Sequence, residues 1–439
     1  MNTNASMINH QLENSHTDFL SWFGIIRLGL IQTCIGAIVV MTTSTLNRIM
    51  VVELALPAML PGFLVALHYL VQLIRPRMGF SSDQGKSKTP WIIGGMGVLA
   101  LGGIGASIGT VLLASNLILG LAVSTLSFIL IGIGVSTSGT SLLALLAKSV
   151  NDQKRAAAAT LVWIMMIFGF AFTSVMIGKY LDPFTPEKII IIAVTISIIS
   201  LVITNVSLYK LESSLTPSVK IEKPTAAMNF KVVIREVWSD PDIRHFTKFI
   251  FLSMLAFSSQ DLILEPFAGM VFHYTVGETT SMSGLQHTGV LVGMVLVAIT
   301  GSSRLRKYVG SLNHMIVYGC MASALAMLGL AVGGIVGQTW PLKLNVFILG
   351  LANGTFSIAA IGSMMRLAVH DGLGKEGVRI GLWGGAQAIA FGLGGLIGAI
   401  GSDVARQLIS DTGYSYAVVF LIESFLFVIS AKLALDIKK

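Results

Sequence analysis

The 439-residue chain is 54% hydrophobic and only 11% charged, too little polar surface to coat a water-soluble globule of this size, so it is an integral membrane protein. The net charge of +8 is not gathered into one basic patch interleaved with aromatics, which excludes nucleic acid as its partner. Cys34 and Cys320 both fall inside apolar runs and provide neither a disulfide framework nor a metal-ligand cluster.

A hydrocarbon core of roughly 30 Å asks for about 20 apolar residues per helix, and the sequence supplies about twelve such runs. The expected fold is therefore an all-α polytopic membrane protein of the major-facilitator type, with about twelve transmembrane helices in two six-helix halves. The predicted divisions are a cytoplasmic tail over 1–22, a first bundle over 23–211, a cytoplasmic central loop over 212–245 and a second bundle over 246–439. The first 22 residues lack Lys and Arg, and the first apolar run is too long for a signal-peptide core, so no cleaved signal is expected. Most of the 29 Lys and Arg sit in the tails, the central loop and the loops on their side, so the positive-inside rule places both termini in the cytoplasm.

In chain order, helix 1 is expected from about Phe23 to Thr45, with Arg27 as an interfacial anchor. An apolar external turn, Leu46 to Leu54, then carries Arg48 and Glu53, a local ion pair or a gate at the far mouth. Helix 2, about Pro57 to Ile74, holds His68, the one histidine expected well inside a span. The following loop carries Gly79, Asp83 and Lys86 in a pattern similar to the gating-loop signature of the major facilitator superfamily, with Gln84 where an arginine is usual. Helices 3 and 4, about Trp91 to Ala114 and Gly120 to Ala147, are glycine-rich, including Gly105 and Gly109 at the spacing that lets backbones approach. Helices 5 and 6 end near Tyr180 and Leu211, and a Pro- and Ser-containing basic stretch from Lys210 to about His245 reads as the linker between halves.

The second half opens on the most informative stretch, Ala256 to Phe272. Two carboxylates, Asp261 and Glu265, stand four residues apart and share a helix face in otherwise apolar sequence. A carboxylate in hydrocarbon costs about 2.5–3.5 kcal/mol on insertion scales, so such groups normally face a bundle interior or a wet cavity. Pro266 follows at once and removes a backbone donor. Gln260 adds an amide. Helices 8, 9 and 10 are expected over about Ser283–Ser302, His314–Val336 and Pro341–Val369. Helix 11 has a glycine-lined stretch, Gly381 to Gly395, that contains Trp383 and Gln387 and is open enough to receive a flat ligand or a neighbouring helix. Helix 12, about Tyr414 to Leu435, carries a lone Glu423. No Ser-His-Asp spacing, phosphate-binding loop or dinucleotide glycine pattern is present, so no catalytic apparatus is expected.

Four segments together, Leu46 to Leu54, the Gly79 loop, Gln260-Asp261-Leu262-Ile263-Leu264-Glu265-Pro266 and Gly381 to Gly395, resemble the PucC/LhaA family, the bacteriochlorophyll-delivery branch of the major facilitator superfamily. The first third, with Leu67-His68-Tyr69, is most similar to the member encoded among pigment-synthesis enzymes. The resemblance implies delivery of bacteriochlorophyll or a precursor to light-harvesting polypeptides in an intracytoplasmic photosynthetic membrane. Bacteriochlorophyll would be a bound ligand, and bacteriochlorophyll synthase a further partner. On that reading His68 is the first candidate ligand for the pigment's magnesium, and Asp261, Glu265 and Gln260 would bind polar substituents or couple protons, with Arg48 or Arg366 as the opposite charge. Two alternatives are a proton-coupled carrier of a small amphipathic solute and a non-catalytic accessory subunit of bacteriochlorophyll biosynthesis.

Overall fold

The computed structural model describes residues 19–75, 87–212, 238–300, 311–369 and 376–436. The Gly79 loop with Gly79, Asp83 and Lys86, the basic stretch after Gly301, and most of the central loop lie outside the described residues, as does the Arg366 side chain. Eleven described helices are long and apolar enough to cross a membrane, and a twelfth, shorter one is apolar. In chain order they are α1 (Trp22–Glu53), α2 (Met59–Ile74), α3 (Thr89–Ser115), α4 (Leu117–Ser149), α5 (Asp152–Leu181) and α6 (Pro186–Leu208) in the first half. The second half has α7 (Pro241–Val271), α8 (Val276–Thr300), α9 (Leu312–Val336), α10 (Leu342–Val369), α11 (Glu376–Leu408) and α12 (Thr412–Leu435).

The helix starts follow local chemistry. Asp240 accepts from the backbone N–H groups of Asp242 (2.9 Å) and Ile243 (3.4 Å), and Pro241 takes the first helical position, where its missing N–H costs nothing. α7 thus begins inside the stretch that the sequence assigned to the central loop. Thr185 and Pro186 start α6 in the same way. At the other end of α6, Arg27 donates from Nε to the Ser207 carbonyl (3.0 Å) and from Nη2 to that of Tyr209 (2.5 Å), so it caps a helix C-terminus rather than merely reaching the interface.

The two halves pack alike. α1 lies on α5 and α6 as α7 lies on α11 and α12, α3 on α4 and α6 as α9 on α10 and α12, and α2 on α4 as α8 on α10. Each half has its own apolar core, one containing Leu28, Ile38, Met96 and Phe128, the other Phe249, Phe267, Phe356 and Phe420. The halves meet chiefly through α5 against α8 and α2 against α11, the exchanged members of the repeat.

α1 departs from expectation. It does not end in a turn at Leu46 but continues to Glu53 through two π-helical stretches, Met41–Thr45 and Ile49–Glu53. Arg48 and Glu53 are therefore on a helix, and Arg48 is 2% exposed. Each π turn takes an extra residue per hydrogen-bonded ring and re-aims the side chains beyond it.

The glycine spacing in α3 works as read. A Cβ on Gly95 would stand 2.5 Å from the Ser138 backbone nitrogen of α4, and Gly109 would meet the Ser124 Oγ at the same distance. Outside the hydrocarbon, Glu212 at the start of the central loop receives the Lys88 and Thr89 backbone N–H groups (2.7 and 2.9 Å) and the Ser87 and Thr89 hydroxyls, capping α3. Partial burial acts to raise the Glu212 carboxyl, but these four donors outweigh it and hold it below its ordinary range.

Gly95→Ala should lower the thermal unfolding temperature in detergent by the equivalent of about 1–3 kcal/mol, the cost of overpacking against backbone. Gly94→Ala should not, because its Cβ would meet nothing within 4 Å. The Glu212 contribution should be complete above the ordinary carboxylate range and lost as pH falls through the depressed folded value. Glu212→Gln should therefore flatten the acid limb of a stability-against-pH curve.

Candidate functional site at the seam between the halves

Pro266 organises the site. Without an N–H it cannot donate to the carbonyl four residues earlier, so the Leu262 oxygen in the middle of α7 is left without its helical partner. Asn47 of α1 supplies the missing donor from Nδ2 at 2.6 Å, a hydrogen bond from the first half to the second. In a medium without water an unmet carbonyl is expensive, which fixes the register of α1 on α7. The π turn at Met41–Thr45 brings Ser44 to the same face, where its hydroxyl donates to Glu265 and lies 3.2 Å from the Ser283 Oγ of α8.

Glu265 is 1% exposed and faces Ser44, Arg48, Ser283 and Thr279. Its second oxygen, Oε2, has no hydrogen-bond partner. Arg48 ion-pairs with Glu53, and its Nη2 donates to the Tyr274 carbonyl at 2.9 Å. The guanidinium fits because Gly269 has no side chain, and a Cβ there would stand 3.0 Å from Nη2. Arg48 thus tethers α1 to the end of α7 and is the cation beside Glu265, the role the sequence left open between Arg48 and Arg366.

One turn toward the other end of α7, Asp261 lines a cavity between the halves with Thr43, Ser44, Tyr69, Phe170, Ser258, Ser283, Gln286 and His287 among its walls. Gln286 is its side-chain partner. The cavity measures about 70 Å³, room for a few water molecules and far less than a tetrapyrrole ring requires. On the far side of α7, Glu423 of α12 is 3% exposed, faces Ser259 and Asp261, and has no hydrogen-bond partner on either oxygen. Gln260 is wholly buried with both amide atoms unpartnered. The group of α7 that faces Glu423 favourably is thus the Ser259 hydroxyl, and the like charge of Asp261 is no partner for it.

The other sequence candidates are more scattered. His68 is 1% exposed, with Nε2 2.7 Å from the Gln72 amide and Nδ1 unpartnered, and it is not a wall of the cavity. Its neighbour Tyr69 takes that position and stacks on Phe391 of α11, ring centroids 5.5 Å apart. Trp383 is buried in the core of the second half, edge-on to Phe246, and Gln387 lies beside Met254, so neither reaches the cavity. His287 moves the opposite way. With helix 8 expected from about Ser283 it would stand near a helix end, but it sits in mid α8 because that helix begins at Val276, and it lines the cavity with Nδ1 2.8 Å from the Ser283 carbonyl. Sequence reasoning missed Ser44, Asn47, Tyr69 and Gln286. The signal for Asn47 was available: a mid-span proline implies a vacant carbonyl four residues back and a donor somewhere to meet it. Among the described residues no group of three or more His, Cys, Asp and Glu could hold a metal ion.

Removing one member of the Arg48–Glu53 pair should have unequal effects, because Arg48 is buried and Glu53 is 36% exposed. Glu53→Leu strands a buried guanidinium and should cost about 1–3 kcal/mol or more. Arg48→Met removes the cation beside the buried Glu265 and the donor to the Tyr274 carbonyl, and should cost more still. A thermal-unfolding series in detergent in which Glu53→Leu is the more damaging change would contradict this geometry.

Comparison with known proteins fits this architecture. The chain is 46% identical over 416 residues to the bacteriochlorophyll synthase 44.5 kDa chain of Rhodobacter capsulatus, covering 94% of this chain and 95% of that one. It is 27% identical over 438 residues to protein PucC of the same organism, covering 94% and 92%. Among solved structures, a D-xylose-proton symporter superposes with a TM-score of 0.70 at 12% identity, covering 94% of this chain and 97% of that one. A POT family transporter superposes with 0.69 at 13% identity, covering 95% and 97%. These likenesses establish the major-facilitator fold. The family model described as PUCC protein matches residues 45–439, and the chain belongs to the PucC family.

Proposed function

We propose that this protein serves photosynthetic pigment and antenna biogenesis as a non-catalytic membrane factor that delivers bacteriochlorophyll, or a precursor of it, to light-harvesting polypeptides. The observation that carries the reading is near full-length similarity to a protein named as a bacteriochlorophyll synthase chain, on a fold of two bundles with acids at their seam. Its place would be the bacterial intracytoplasmic photosynthetic membrane, with both termini in the cytoplasm as the loop charges imply.

The geometry supports binding and movement rather than bond-making. Because the cavity is far smaller than the pigment, a ring would enter only once the halves part, or would rest beside the cavity. Open space on α11 would serve: Cβ atoms on Gly384 and Gly385 would meet nothing within 4 Å, and the Tyr69–Phe391 pair stacks two turns further along the helix. Asp261 and Glu265 would then bind polar substituents of the ring or answer a basic group on an antenna polypeptide, and His68 would ligate magnesium only after leaving Gln72. A second reading, a proton-coupled carrier of a small amphipathic solute, is favoured by the placing of Asp261 on a water-sized cavity. Purification in mild detergent separates the readings, since copurifying pigment or antenna protein supports delivery, copurifying synthase an accessory role, and solute uptake that collapses a proton gradient the carrier.

A deletion strain should lose antenna absorbance, and normal absorbance would refute the pigment reading. Asp261→Asn combined with Glu265→Gln should insert normally, since removing charge lowers insertion cost, and should still reduce antenna absorbance severalfold. Unchanged spectra in that double variant would remove these two residues from the site.

A further inference from the structure

Two carboxylates at the end of the bundle where α1, α5, α7 and α11 finish have no part in the seam described above. Asp182, just after α5, accepts from the Thr275 hydroxyl at 2.5 Å through Oδ2 and from the Gly277 backbone N–H at 2.9 Å through Oδ1. It therefore caps the start of α8, a helix of the other half. Asp403, near the end of α11, accepts from the Ala58 N–H at 3.0 Å through Oδ1 and from the Met59 N–H at 2.7 Å through Oδ2. It caps the start of α2, again across the halves, and Arg406 holds its Oδ1.

The two contacts are the same contact under the internal repeat. α5 and α11 are the fifth helices of their halves, α2 and α8 the second. In each case a carboxylate from the end of a fifth helix satisfies the orphan N–H groups at the start of the opposite second helix, where the helix dipole also favours a negative charge. Small residues let both pairs close. A Cβ on Gly277 would stand 2.3 Å from the Gly178 carbonyl oxygen of α5, and a Cβ on Gly62 of α2 would stand 2.7 Å from the Ala399 side-chain methyl of α11. Helix N-caps normally come from the residue just before the helix. At α8 a local capping box, with the Glu278 N–H donating to the Thr275 hydroxyl (3.1 Å) and the Thr275 N–H to Glu278 (3.0 Å), remains when the bundles part, whereas α2 has no side-chain cap from its own N-cap residue. In both helices the bonds from the other bundle are lost whenever the bundles part at this end.

We infer that Asp182 and Asp403 form a reciprocal pair of latches that hold this end of the seam shut, and that opening the cavity toward it requires both caps to be released. The two are unequal: Asp403 is 8% exposed, whereas Asp182 is exposed to solvent, so water replaces the Asp182 contacts more readily and the Asp403 latch is the stronger.

The test is a distance measurement on the full chain in detergent, with spin labels at Glu187→Cys and Tyr414→Cys, exposed positions in opposite halves at this end, and with Cys34 and Cys320 replaced by alanine. The protein with both latches should give one short-distance population. Asp403→Ala should raise a longer-distance population about tenfold, Asp182→Ala less, and the two together more than either, in keeping with the worth of a helix cap. A distribution unchanged in the folded double variant overturns the inference. So does an equal lengthening in Asp240→Ala, which removes a cap within one half at the opposite end. If Asp403→Ala does not fold, Asp403→Asn, which keeps one acceptor oxygen, and Asp182→Ala carry the test, and absence of any lengthening in both overturns it. The readout involves no pigment, so it stands or falls apart from the proposed delivery role.

Discussion

The vacant carbonyl of Leu262 is the constraint on which the centre of this protein depends. Pro266 deletes one hydrogen bond in the middle of a helix surrounded by hydrocarbon, where no water can substitute, and Asn47 restores it from the other half of the molecule. That single bond sets the height of α1 on α7. With it go Ser44 onto Glu265 and Arg48 beneath Gly269. The centre of the seam is therefore held by directional polar contacts, beside apolar ones such as Val51 and Ala58 against Ala399. An apolar contact between bundles can slide by small steps, whereas these contacts are either made or broken.

The same logic explains how several buried acids are tolerated together. Glu265 is met by hydroxyls from both halves and by a nearby guanidinium, Asp261 by a small cavity and an amide, and Glu423 faces the Ser259 hydroxyl of α7. Unpartnered oxygens remain on Glu265 and Glu423 and an unpartnered amide on Gln260, as do unpartnered polar atoms on other helices, Ser138, Thr204 and Asn353 among them. Unsatisfied polar atoms are scarce in folded proteins and costly in a low-dielectric interior. The two acids and the amide therefore mark places on α7 and α12 where this fold departs from simple packing.

At the end where α1 finishes, the repeat uses a different device. Deeper contacts join α1 to α7, but the outer ones join α5 to α8 and α11 to α2, with carboxylates completing helix starts across the gap. The internal symmetry that generates two similar bundles thereby generates two equivalent locks between them.

The sequence by itself determined the membrane class, the number and order of the helices, the division into two bundles and the presence of two acids and a proline, Asp261, Glu265 and Pro266, in one span. These follow from composition, run length and the cost of charge in lipid, all local or additive quantities. It also showed, through a resemblance in four segments, the family to which the chain belongs. Only the tertiary structure decided that Arg48 and Glu53 lie on a helix, that Tyr69 and not His68 reaches the cavity, that Trp383 is core, and that His287 is central. Those outcomes depend on π turns that rotate side chains by part of a turn and on helix starts that shift a residue by two turns along the membrane normal. Hydrophobicity counts are nearly blind to both, because a helix that is apolar all round carries little record of which face meets its neighbour.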